Sequence, residues 1–358
     1  MRVYCYHTQN VQYILKKMEK GEFPSHFLYG STKLKHHGID VIWHKSLVST
    51  SRLRQMFHSI WQMMFVHRHY EAIYATHYQG LEPLIFLRAL GLFRKRIVIW
   101  HHQPIVVSHS WWRDKLGKLF YQGIDDMFFF SQKLIEDSIQ THKADPAKFH
   151  LGHWGADLEM YDRVIAERGE KNGFVSTGKE KRDMTTLVTA FNETGAPLNI
   201  YLNTKNGSFN YKQLFESLTV KSNIHVEFPD KLMPYELSKE VNKAKCVVIC
   251  CNETAYTVGL TTVVEALAMG MPMICSRNPQ IPIDIDAERC GISVPYGDVE
   301  GWKRAIVYMQ EHPHEAEEMG RRGRRLAETT YNDAVCAAEV AQVLLKHQKT
   351  KRPSRTEG

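Results

Sequence analysis

The feature that most constrains the fold of this 358-residue chain is the alternation of short β-rich runs with amphipathic stretches. Such alternation is typical of βαβ units, which place parallel strands side by side in one sheet. The runs form two sets of five: MRVYCY, IDVIWH, EAIYAT, RIVIWHH and DMFFFS, then NGFVST, LNIYLN, NIHVEF, KCVVICC and MPMICS. The sequence therefore predicts an α/β protein with two doubly wound, Rossmann-like domains.

The connection between the two sets of strands falls in HWGADLEMYDRVIAERGEKNG, residues 153–173, which begins with turn-forming residues and becomes charged. We place the boundary near residue 165, so that an N-terminal domain covers residues 1–165 and a C-terminal domain covers residues 166–332. Residues 333–349 are predicted to form a C-terminal helix. Residues 350–358 contain no apolar side chain and are predicted to be a disordered tail.

No opening segment combines basic residues, an apolar run and a cleavage site, and no apolar stretch approaches the roughly 20 residues that a membrane span needs. These patterns predict a cytoplasmic protein. The seven cysteines form no CxxC pair and lie mostly in apolar, strand-like surroundings, which is typical of reduced core residues.

Charge is unevenly distributed along the chain. The formal net charge is +7, whereas residues 1–120 contain 17 Lys and Arg against 6 Asp and Glu, which gives +11 for that part. A basic half of this kind indicates an anionic partner. Nucleic acid, an anionic membrane surface and a phosphorylated substrate all fit this description.

The segment GLTTVVEALAMG, residues 259–270, follows the predicted strand KCVVICC and a loop, and it predicts a helix that begins at a glycine. A helix start offers unpaired N–H groups and the positive end of a dipole, and in open α/β sheets ligands bind beyond the carboxyl ends of strands. We predict an anion site there, with hydroxyl donors from Thr261 and Thr262 and close backbone approach at Gly259. Glu265 would accept hydrogen bonds from a ribose diol. The alternative is a capping box, in which Thr262 caps the helix and Glu265 returns the bond.

A second segment has the same order of strand, glycine, loop and helix. In STGKEKRDMTTLVTAF, residues 176–191, Lys179 and Arg182 lie in the turn that follows Gly178. Fixed positive charge at the carboxyl end of a strand suits a diphosphate, because it stabilises the negative charge that develops on a leaving phosphate. Two such loops in one domain predict a site for a nucleotide diphosphate.

These segments resemble those of the retaining GT-B glycosyltransferases of family 4, the group 1 glycosyltransferases. The likeness covers nearly the whole chain, is strongest over residues 174–332, and rests on five segments in the right order: FLYGSTKLKHHGIDVIW, FFFSQ with HLGHWGADLEMYD, GKEKRDMTTLVTAF, GLTTVVEALAMGMPMICS and GISVPYGDVEGWKRAI. The resemblance implies two Rossmann-like domains facing a cleft. The first domain would hold the acceptor and the second would bind the nucleotide-sugar donor.

The resemblance also implies roles for individual residues. Lys179 and Arg182 would grip the diphosphate as catalytic groups, Glu265 would hold the ribose, and the loop DKL, residues 230–232, would contact the base. The family retains anomeric configuration without a dedicated nucleophile, so catalysis would come from stabilising the leaving group and closing the cleft. Neither a metal nor another cofactor is expected. The donor-binding residues implied in this way are Gly178, Lys179, Arg182, Lys231, Leu232, Gly259, Thr261, Thr262 and Glu265.

One position departs from the family pattern, in which two glutamates are separated by seven residues. Counting eight residues back from Glu265 gives Thr257, and Glu253 lies four residues earlier still. The usual sugar-contacting acid is therefore missing from its place. Either Glu253 or a backbone N–H serves instead, or the donor sugar is recognised in another way, or the chain is an inactive relative.

The predicted strand RIVIWHH ends in two histidines at the carboxyl edge of the first sheet. Because neighbouring strand residues face opposite ways, only one of His101 and His102 can support catalysis there, and the alternative for both is packing at the end of the strand. The acids of DID, residues 284–286, resemble the metal ligands of a different glycosyltransferase fold, and we interpret them as a chance match.

The leading hypothesis is a hexosyltransferase that moves a hexose from a nucleotide-diphosphate sugar to a glycan or lipid-linked acceptor, with retention, in cell-surface polysaccharide or glycolipid biosynthesis. Two alternatives are a nucleotide-sugar epimerase of the same fold and a non-catalytic sugar-nucleotide-binding partner of another transferase. Nucleic-acid binding would account for the basic half but not for the paired phosphate loops.

Three segments, residues 51–68, 92–96 and 110–123, contain clustered basic residues, and the two longer ones interleave them with aromatic and aliphatic side chains at helical spacing. Such faces can lie in a bilayer interface, where aromatic groups enter the headgroup region and basic groups meet anionic lipid. They predict peripheral binding at the inner face of an anionic membrane. The alternative is that the apolar faces pack on the first sheet.

Overall fold

The computed structural model describes residues 1–47, 51–167, 169–229 and 232–349. The chain forms two compact units. Unit 1 contains residues 1–20 and 25–154 together with the described residues from Asp333 onward, and unit 2 contains residues 21–24 and 155–332. The predicted disordered tail, residues 350–358, lies outside the described residues.

The strands are numbered in chain order. They are β1 (Arg2–Tyr6), β2 (Asp40–Trp43), β3 (Ala72–Ala75), β4 (Arg96–His101), β5 (Asp126–Phe129), β6 (Phe149–Leu151), β7 (Phe174–Gly178), β8 (Leu198–Leu202), β9 (Lys205–Asn206), β10 (Phe209–Asn210), β11 (Ile224–Glu227), β12 (Cys246–Ile249), β13 (Met273–Ser276) and β14 (Gly291–Val294).

The α-helices are numbered in the same way. They are α1 (Val11–Glu19), α2 (Arg52–Trp61), α3 (Glu82–Ala89), α4 (Trp111–Gln122), α5 (Gln132–Ile139), α6 (Leu158–Ala166), α7 (Met184–Thr194), α8 (Tyr211–Ser217), α9 (Pro234–Asn242), α10 (Leu260–Ala268), α11 (Val299–Glu311), α12 (Pro313–Thr329) and α13 (Asp333–Lys349). Short 3₁₀ helices cover Ser25–Leu28, Ser31–His37 and Pro146–Lys148, and a π-helical turn, Gln62–Val66, continues α2.

Each unit is built on one parallel six-stranded sheet. The strand order is β2-β1-β3-β4-β5-β6 in unit 1 and β11-β8-β7-β12-β13-β14 in unit 2, with β9 and β10 pairing separately as a small antiparallel ribbon. All the described pairings within the two large sheets are parallel, and Tyr4 of β1, for example, lies opposite Ile42 and Ile73. The predicted α/β class with two doubly wound units is confirmed.

The strands are buried and apolar because helices cover the faces of a parallel sheet. In unit 2, Phe174, Leu187 and Trp302 belong to one core between β7, α7 and α11. Helix starts are fixed by side-chain caps: Asp183 accepts from the backbone N–H of Thr186 at 3.0 Å and so begins α7 directly after the β7 turn. Strand, turn and helix start are therefore held together where the first phosphate loop was predicted.

The boundary between the units differs from the predicted one near residue 165. Unit 2 begins at Gly155, so α6 belongs to it. Asp157 caps α6, and Asn242 of α9 donates to the carbonyl of Val164 at 3.1 Å, which ties the helix to unit 2. The charged residues that follow α6 marked the end of this helix and not the domain boundary.

The C-terminal helix is not separate from the two units, because α13 packs in unit 1. Its residues Cys336, Val340 and Leu344 are buried, Arg96 donates to the carbonyl of Leu344 at 2.9 Å, and Glu339 accepts from the backbone N–H of His153 at 2.8 Å. The first unit is thus completed by residues that lie after the second unit in the chain. No helix among the described residues is long and apolar enough to cross a membrane.

Candidate functional site

The turn between β7 and α7 is shaped by one glycine. Gly178 has a φ of +127°, and a Cβ added to it would lie 2.2 Å from Nη2 of Arg182. Lys181 also has a positive φ, of +50°. A side chain at residue 178 would occupy the space of the guanidinium group, so the glycine allows Arg182 to fold back across the end of β7.

Arg182 connects the two loops that were predicted to bind phosphate. Its side chain is 5% exposed, and it donates from Nε to the carbonyl of Thr177 at 2.9 Å and from Nη2 to the hydroxyl of Thr262 at 3.1 Å. Nη1 contacts the carbonyl of Glu180 and the sulfur of Cys251, each at 3.2 Å. These partners are neutral, and the described part of the chain supplies no ion pair to the guanidinium. A buried positive charge that is held in this way has residual capacity for an anion.

Helix α10 begins as the sequence predicted but without a capping box. Its N-cap is Gly259, with a φ of +94° and no side-chain capping bond. The hydroxyl of Thr262 accepts from Arg182 instead of capping the helix, and Thr261 is partly exposed at the first turn. The capping alternative is therefore wrong for this helix. The first N–H groups of an α-helix have no acceptor within the helix, so this end can bind an anion.

Glu265 is the sixth residue of α10 and is partly buried. The Tyr161 hydroxyl, on α6, hydrogen-bonds its carboxyl group, and the charge of Arg182 also acts on it. Burial raises the pKa of Glu265 to about 7, while the Tyr161 hydroxyl and the Arg182 charge both act to lower it. The carboxyl group is therefore poised between its neutral and charged forms near neutral pH.

The loop between β12 and α10 holds the position of the missing acid. Asn278 donates from Nδ2 to the carbonyl of Tyr256 at 2.9 Å and to that of Val258 at 3.3 Å, which fixes the end of the loop. The Tyr256 hydroxyl donates to Glu180 at 2.7 Å and so links this loop to the β7 turn. Thr257 is partly exposed and Glu253 is exposed, so Glu253 is the acid of this loop that faces solvent.

Two of the other residues that were predicted to bind the donor, Lys179 and Leu232, are exposed. Lys179 is exposed beside Gly178, where its ammonium group is free to reach a ligand. Leu232 is exposed, and its N–H donates to the carbonyl of Pro229 at 3.0 Å. Lys231 lies outside the described residues. The acids of the DID segment hold turns: Asp284 accepts from the N–H of Ala287 at 3.0 Å and Asp286 from that of Ser293 at 2.9 Å.

The two histidines of unit 1 have different surroundings. His101, 4% exposed, donates to the carbonyl of Gln103 and lies 3.1 Å from the hydroxyl of Tyr121, so both ring nitrogens are engaged within the protein. His102 is only partly buried, and it bonds the carbonyl of Thr76 through Nε2 at 2.7 Å. Burial lowers the pKa of both imidazoles to about 4. Of the two, His102 is the one with a nitrogen left for a ligand.

Several residues of the site could not be found from the motifs. Tyr161 lies in the segment taken for a linker, and Tyr211, whose hydroxyl accepts from the N–H of Arg182 at 2.9 Å, lies outside both phosphate loops. Cys251 was assigned to the core on its composition. The signal in the sequence was Asp157, because aspartate is a typical N-cap and predicts a helix whose fourth residue is Tyr161.

Comparisons with known proteins give a family match to part of unit 2. Residues 173–312 match the family described as "Glycosyl transferases group 1". That range contains both phosphate loops, from β7 to α11. No protein of curated function matches the chain by sequence.

Solved structures resemble the chain along almost its whole length. HepE of Anabaena, solved with UDP, has a TM-score of 0.66 at 13% identity, over 97% of this chain and 100% of that one. Sucrose-phosphate synthase of Thermosynechococcus elongatus gives 0.70 at 13% identity, and a glycosyltransferase of Rickettsia africae gives 0.69 at 11%, each over 98% of this chain and 99% of the other. At these identities the likeness shows the fold. The chain therefore has the GT-B fold, and residues 173–312 of its unit 2 are similar to the group 1 glycosyltransferases.

Proposed function

We propose that the protein is a retaining glycosyltransferase of family 4 that transfers a hexose from a nucleotide-diphosphate sugar to a glycan or lipid-linked acceptor, in cell-surface polysaccharide or glycolipid assembly. The observation that carries this proposal is the buried guanidinium of Arg182, which joins the β7 turn to the start of α10 through neutral partners. A diphosphate at this point would add negative charge beside a guanidinium whose hydrogen-bond partners are neutral.

The chemistry of the site fits stabilisation of a leaving group. Lys179 is free to move toward the phosphate oxygens, while Arg182 is fixed by its hydrogen bonds. The N-terminus of α10 adds N–H donors and the positive end of its dipole, and the carboxylate of Glu265 would accept from a ribose diol. These groups would stabilise the negative charge that develops on the departing diphosphate. Electrostatic stabilisation of this kind is usually the largest single contribution to the rate enhancement.

The first donor to test is UDP-glucose, because HepE of Anabaena was solved with UDP and with UDP-glucose. Thermal shift with a panel of nucleotide sugars, followed by measurement of UDP or GDP release with and without acceptors, tests the proposal. Lys245→Ala is a matched control for Lys179→Ala, since it removes an exposed lysine directly before β12, at the opposite end of the strand from the loop that leads to α10. If no nucleotide sugar shifts the melting temperature, the proposal of a donor site in unit 2 is refuted.

A non-catalytic sugar-nucleotide-binding protein is the second candidate. Thr257 stands where the family has an acid, and this substitution favours loss of turnover with binding retained. An epimerase would instead convert one nucleotide sugar into another without an acceptor. The three functions separate in one assay, because binding alone releases no nucleotide, epimerisation changes the sugar, and transfer extends the acceptor.

We also propose that unit 1 binds the surface of an anionic membrane. None of the described residues of α4 is buried, and Trp111 and Trp112 are 71% and 52% exposed. Lys115 lies over the ring of Trp111 at 4.7 Å, and Arg113 lies over that of Trp112 at 5.2 Å. Helix α2 and its π-helical extension expose further large apolar side chains: Leu53, Phe57, Trp61, Phe65 and Val66. Exposed aromatic groups beside cations suit the headgroup region of anionic lipid.

Vesicle sedimentation tests this second proposal. We expect binding to vesicles that contain anionic lipid, little binding to neutral vesicles, and release by salt. Replacing both tryptophans, by Trp111→Ala with Trp112→Ala, should reduce binding without changing the melting temperature, because neither ring is buried. Equal indifference to both kinds of vesicle would exclude a membrane role for these faces.

A further inference from the structure

One acid lies inside the basic turn that follows β7. Glu180 stands between Lys179 and Lys181 and is followed by Arg182, so its charged neighbours along this turn are cations. Its side chain is exposed, and it forms no ion pair among the residues that the structure describes. The carboxylate instead accepts from the hydroxyl of Tyr256 at 2.7 Å. Its position is therefore set by a neutral partner from the β12–α10 loop and not by the cations of its own turn.

Tyr256 is a firm support for this carboxylate. Its carbonyl accepts three hydrogen bonds, from the hydroxyl of Thr254 at 2.9 Å, from Nδ2 of Asn278 at 2.9 Å and from the N–H of Val258 at 2.8 Å. Burial and the adjacent Glu180 raise the pKa of Tyr256, so the hydroxyl keeps its proton and remains a donor. The side chain of Glu180 is thus held by a residue whose own backbone is held in place.

The backbone of Glu180 is tied to the buried cation of the phosphate site. The carbonyl of Glu180 accepts from Nη1 of Arg182 at 3.2 Å. The next carbonyl of the turn, that of Lys181, accepts from the N–H of Asn252 at 2.8 Å, which holds the turn against the end of β12. Glu180 therefore connects the guanidinium group of Arg182 with the hydroxyl of Tyr256, beside the place proposed for the diphosphate.

A carboxylate at this point does not suit a phosphate group. Both groups are negatively charged and both only accept hydrogen bonds, so they repel each other. A hydroxyl group is the complementary ligand, because it can donate to a carboxylate oxygen. One oxygen of Glu180 accepts from Tyr256, and the other has no hydrogen-bond partner among the described residues.

A nucleotide-diphosphate sugar has hydroxyl groups on both sides of its diphosphate. Those on one side belong to ribose, which the proposed function assigns to Glu265. Those on the other side belong to the sugar that is transferred. The unpaired oxygen of Glu180 therefore suits a hydroxyl group of the transferred sugar.

We propose that the Glu180 carboxylate binds a hydroxyl group of the transferred sugar, and that Tyr256 is the positioning residue that holds the carboxylate there. This inference rests on the proposed function, in which unit 2 binds a nucleotide-diphosphate sugar. It gives a role in sugar specificity to the turn after β7, whereas the sequence pattern led to Thr257 and Glu253 in the β12–α10 loop. The donor sugar must then present a free hydroxyl group to this carboxylate, since a negatively charged group there would be repelled.

Two variants separate the carboxylate from its support. Glu180→Gln keeps an oxygen that accepts from Tyr256, so the bond between the loops survives while the charge and the second acceptor are lost. Tyr256→Phe keeps the carboxylate but removes the hydroxyl that holds it. Glu311→Gln is the control, since it replaces an exposed glutamate at the last residue of α11. This helix starts beyond the carboxyl end of β14 and runs back along the sheet, so Glu311 lies away from the donor edge.

Affinities are measured by isothermal titration calorimetry at one salt concentration. UDP, GDP, UDP-glucose, UDP-galactose and GDP-mannose are titrated into the unmodified protein, and the nucleotide sugar that binds best is then compared with its own nucleoside diphosphate. In Glu180→Gln the nucleotide sugar should bind roughly tenfold more weakly, as for loss of one hydrogen bond to a charged group. The nucleoside diphosphate should bind equally well or more tightly, because a negative charge near its phosphates is removed. Tyr256→Phe should weaken binding of the nucleotide sugar roughly threefold and Glu311→Gln less than about twofold.

The directions of the two changes in Glu180→Gln decide the outcome. Weaker binding of the nucleotide sugar with unchanged or tighter binding of the diphosphate would support the sugar contact. Tighter binding of both ligands would mean that Glu180 only repels the phosphates, and equally weaker binding of both would mean that it only supports the loops. Either of these results, or no change in either affinity, overturns the proposal. If neither UDP nor GDP binds the unmodified protein, the donor site itself is refuted, and this failure is independent of Glu180.

Discussion

The carboxyl edges of the two sheets share a topology but differ in charge. In unit 2 the strands open onto Lys179, Arg182 and Glu265, and the buried guanidinium is held by neutral groups. In unit 1 the corresponding positions are occupied by imidazoles such as His77 and His102, and burial lowers the pKa of both. The same kind of parallel sheet thus presents fixed cations at its edge in one unit and imidazoles that favour the neutral form in the other. The chemistry is set by the first residues beyond each strand, not by the fold.

The largest expected effect concerns the charge of the unit 2 edge. We expect Lys179→Ala and Arg182→Ala each to reduce sugar transfer at least ~100-fold, because each removes a cation from the leaving diphosphate. The two variants should differ in stability. Lys179 is exposed, so its variant should melt as the unmodified protein does, whereas Arg182→Ala leaves buried acceptors without their donor and should lose about 1–3 kcal/mol.

Steady-state turnover and urea denaturation separate these effects. Near-normal turnover of both variants at saturating donor would refute the diphosphate assignment. Unchanged stability of Arg182→Ala would mean that its four contacts contribute little to folding.

The second-largest expected effect concerns Gly178, which leaves room for the side chain of Arg182 at the carboxyl edge of the unit 2 sheet. Gly178→Ala should destabilise unit 2 by about 2–3 kcal/mol and abolish donor binding, because the new methyl group meets the guanidinium and the backbone has a strained φ. Gly195→Ala is a matched control: it also has a positive φ, of +68°, but no atom lies within 4 Å of the added Cβ. It should lose only about 1 kcal/mol and bind donor normally. Equal losses of stability in the two variants would mean that backbone strain, and not contact with Arg182, causes the destabilisation.

The third effect tests the difference in charge directly. Raising salt from about 0.05 M to about 0.5 M should weaken binding of UDP to unit 2 by roughly tenfold, since its cations are screened. An affinity for UDP that does not change with salt would mean that the cations of this edge do not bind the diphosphate.

The smallest effect comes from Glu265. Its native pKa of about 7 exceeds the usual 4.5, so the native state binds the proton more tightly and the contribution to stability falls as pH rises between these values. Glu265→Gln, measured without nucleotide, should therefore melt about 2–4 °C higher than the unmodified protein near pH 8 and no higher near pH 5. A lower melting temperature at both pH values would point to a structural role for the carboxylate.

Much of the fold was predictable, because ten strands have strong β-rich patterns and all ten are confirmed. The strand β6 was missed since three residues, Phe149–Leu151, show no period, and β14 lay in a segment that was noted only for its resemblance. The predicted position of the domain boundary was wrong because the charged residues at the end of α6 resemble those of a linker.

The sequence predicted which loops form the candidate site but not the contacts between them. A glycine, a basic turn and a helix start are local sequence features. Gly178 and Gly259 could therefore be predicted, and both have a positive φ. Three of the bonds of Arg182 reach residues that lie 29 to 80 positions away, Tyr211, Cys251 and Thr262, and no local sequence pattern predicts them. The hydrogen bond from His102 to the carbonyl of Thr76 depends on a backbone group whose direction is known only once the chain is folded.

The return of α13 to unit 1 has a consequence for how the protein is made. Gly30 lies so close to Ala337 that a Cβ would be 2.8 Å from its backbone, and the buried Leu344 comes near the end of the described chain. During translation all of residues 155–332 leave the ribosome before these contacts can form. Unit 2 can therefore finish folding first, while the sheet of unit 1, although synthesised earlier, waits for its last helix with part of its apolar surface uncovered.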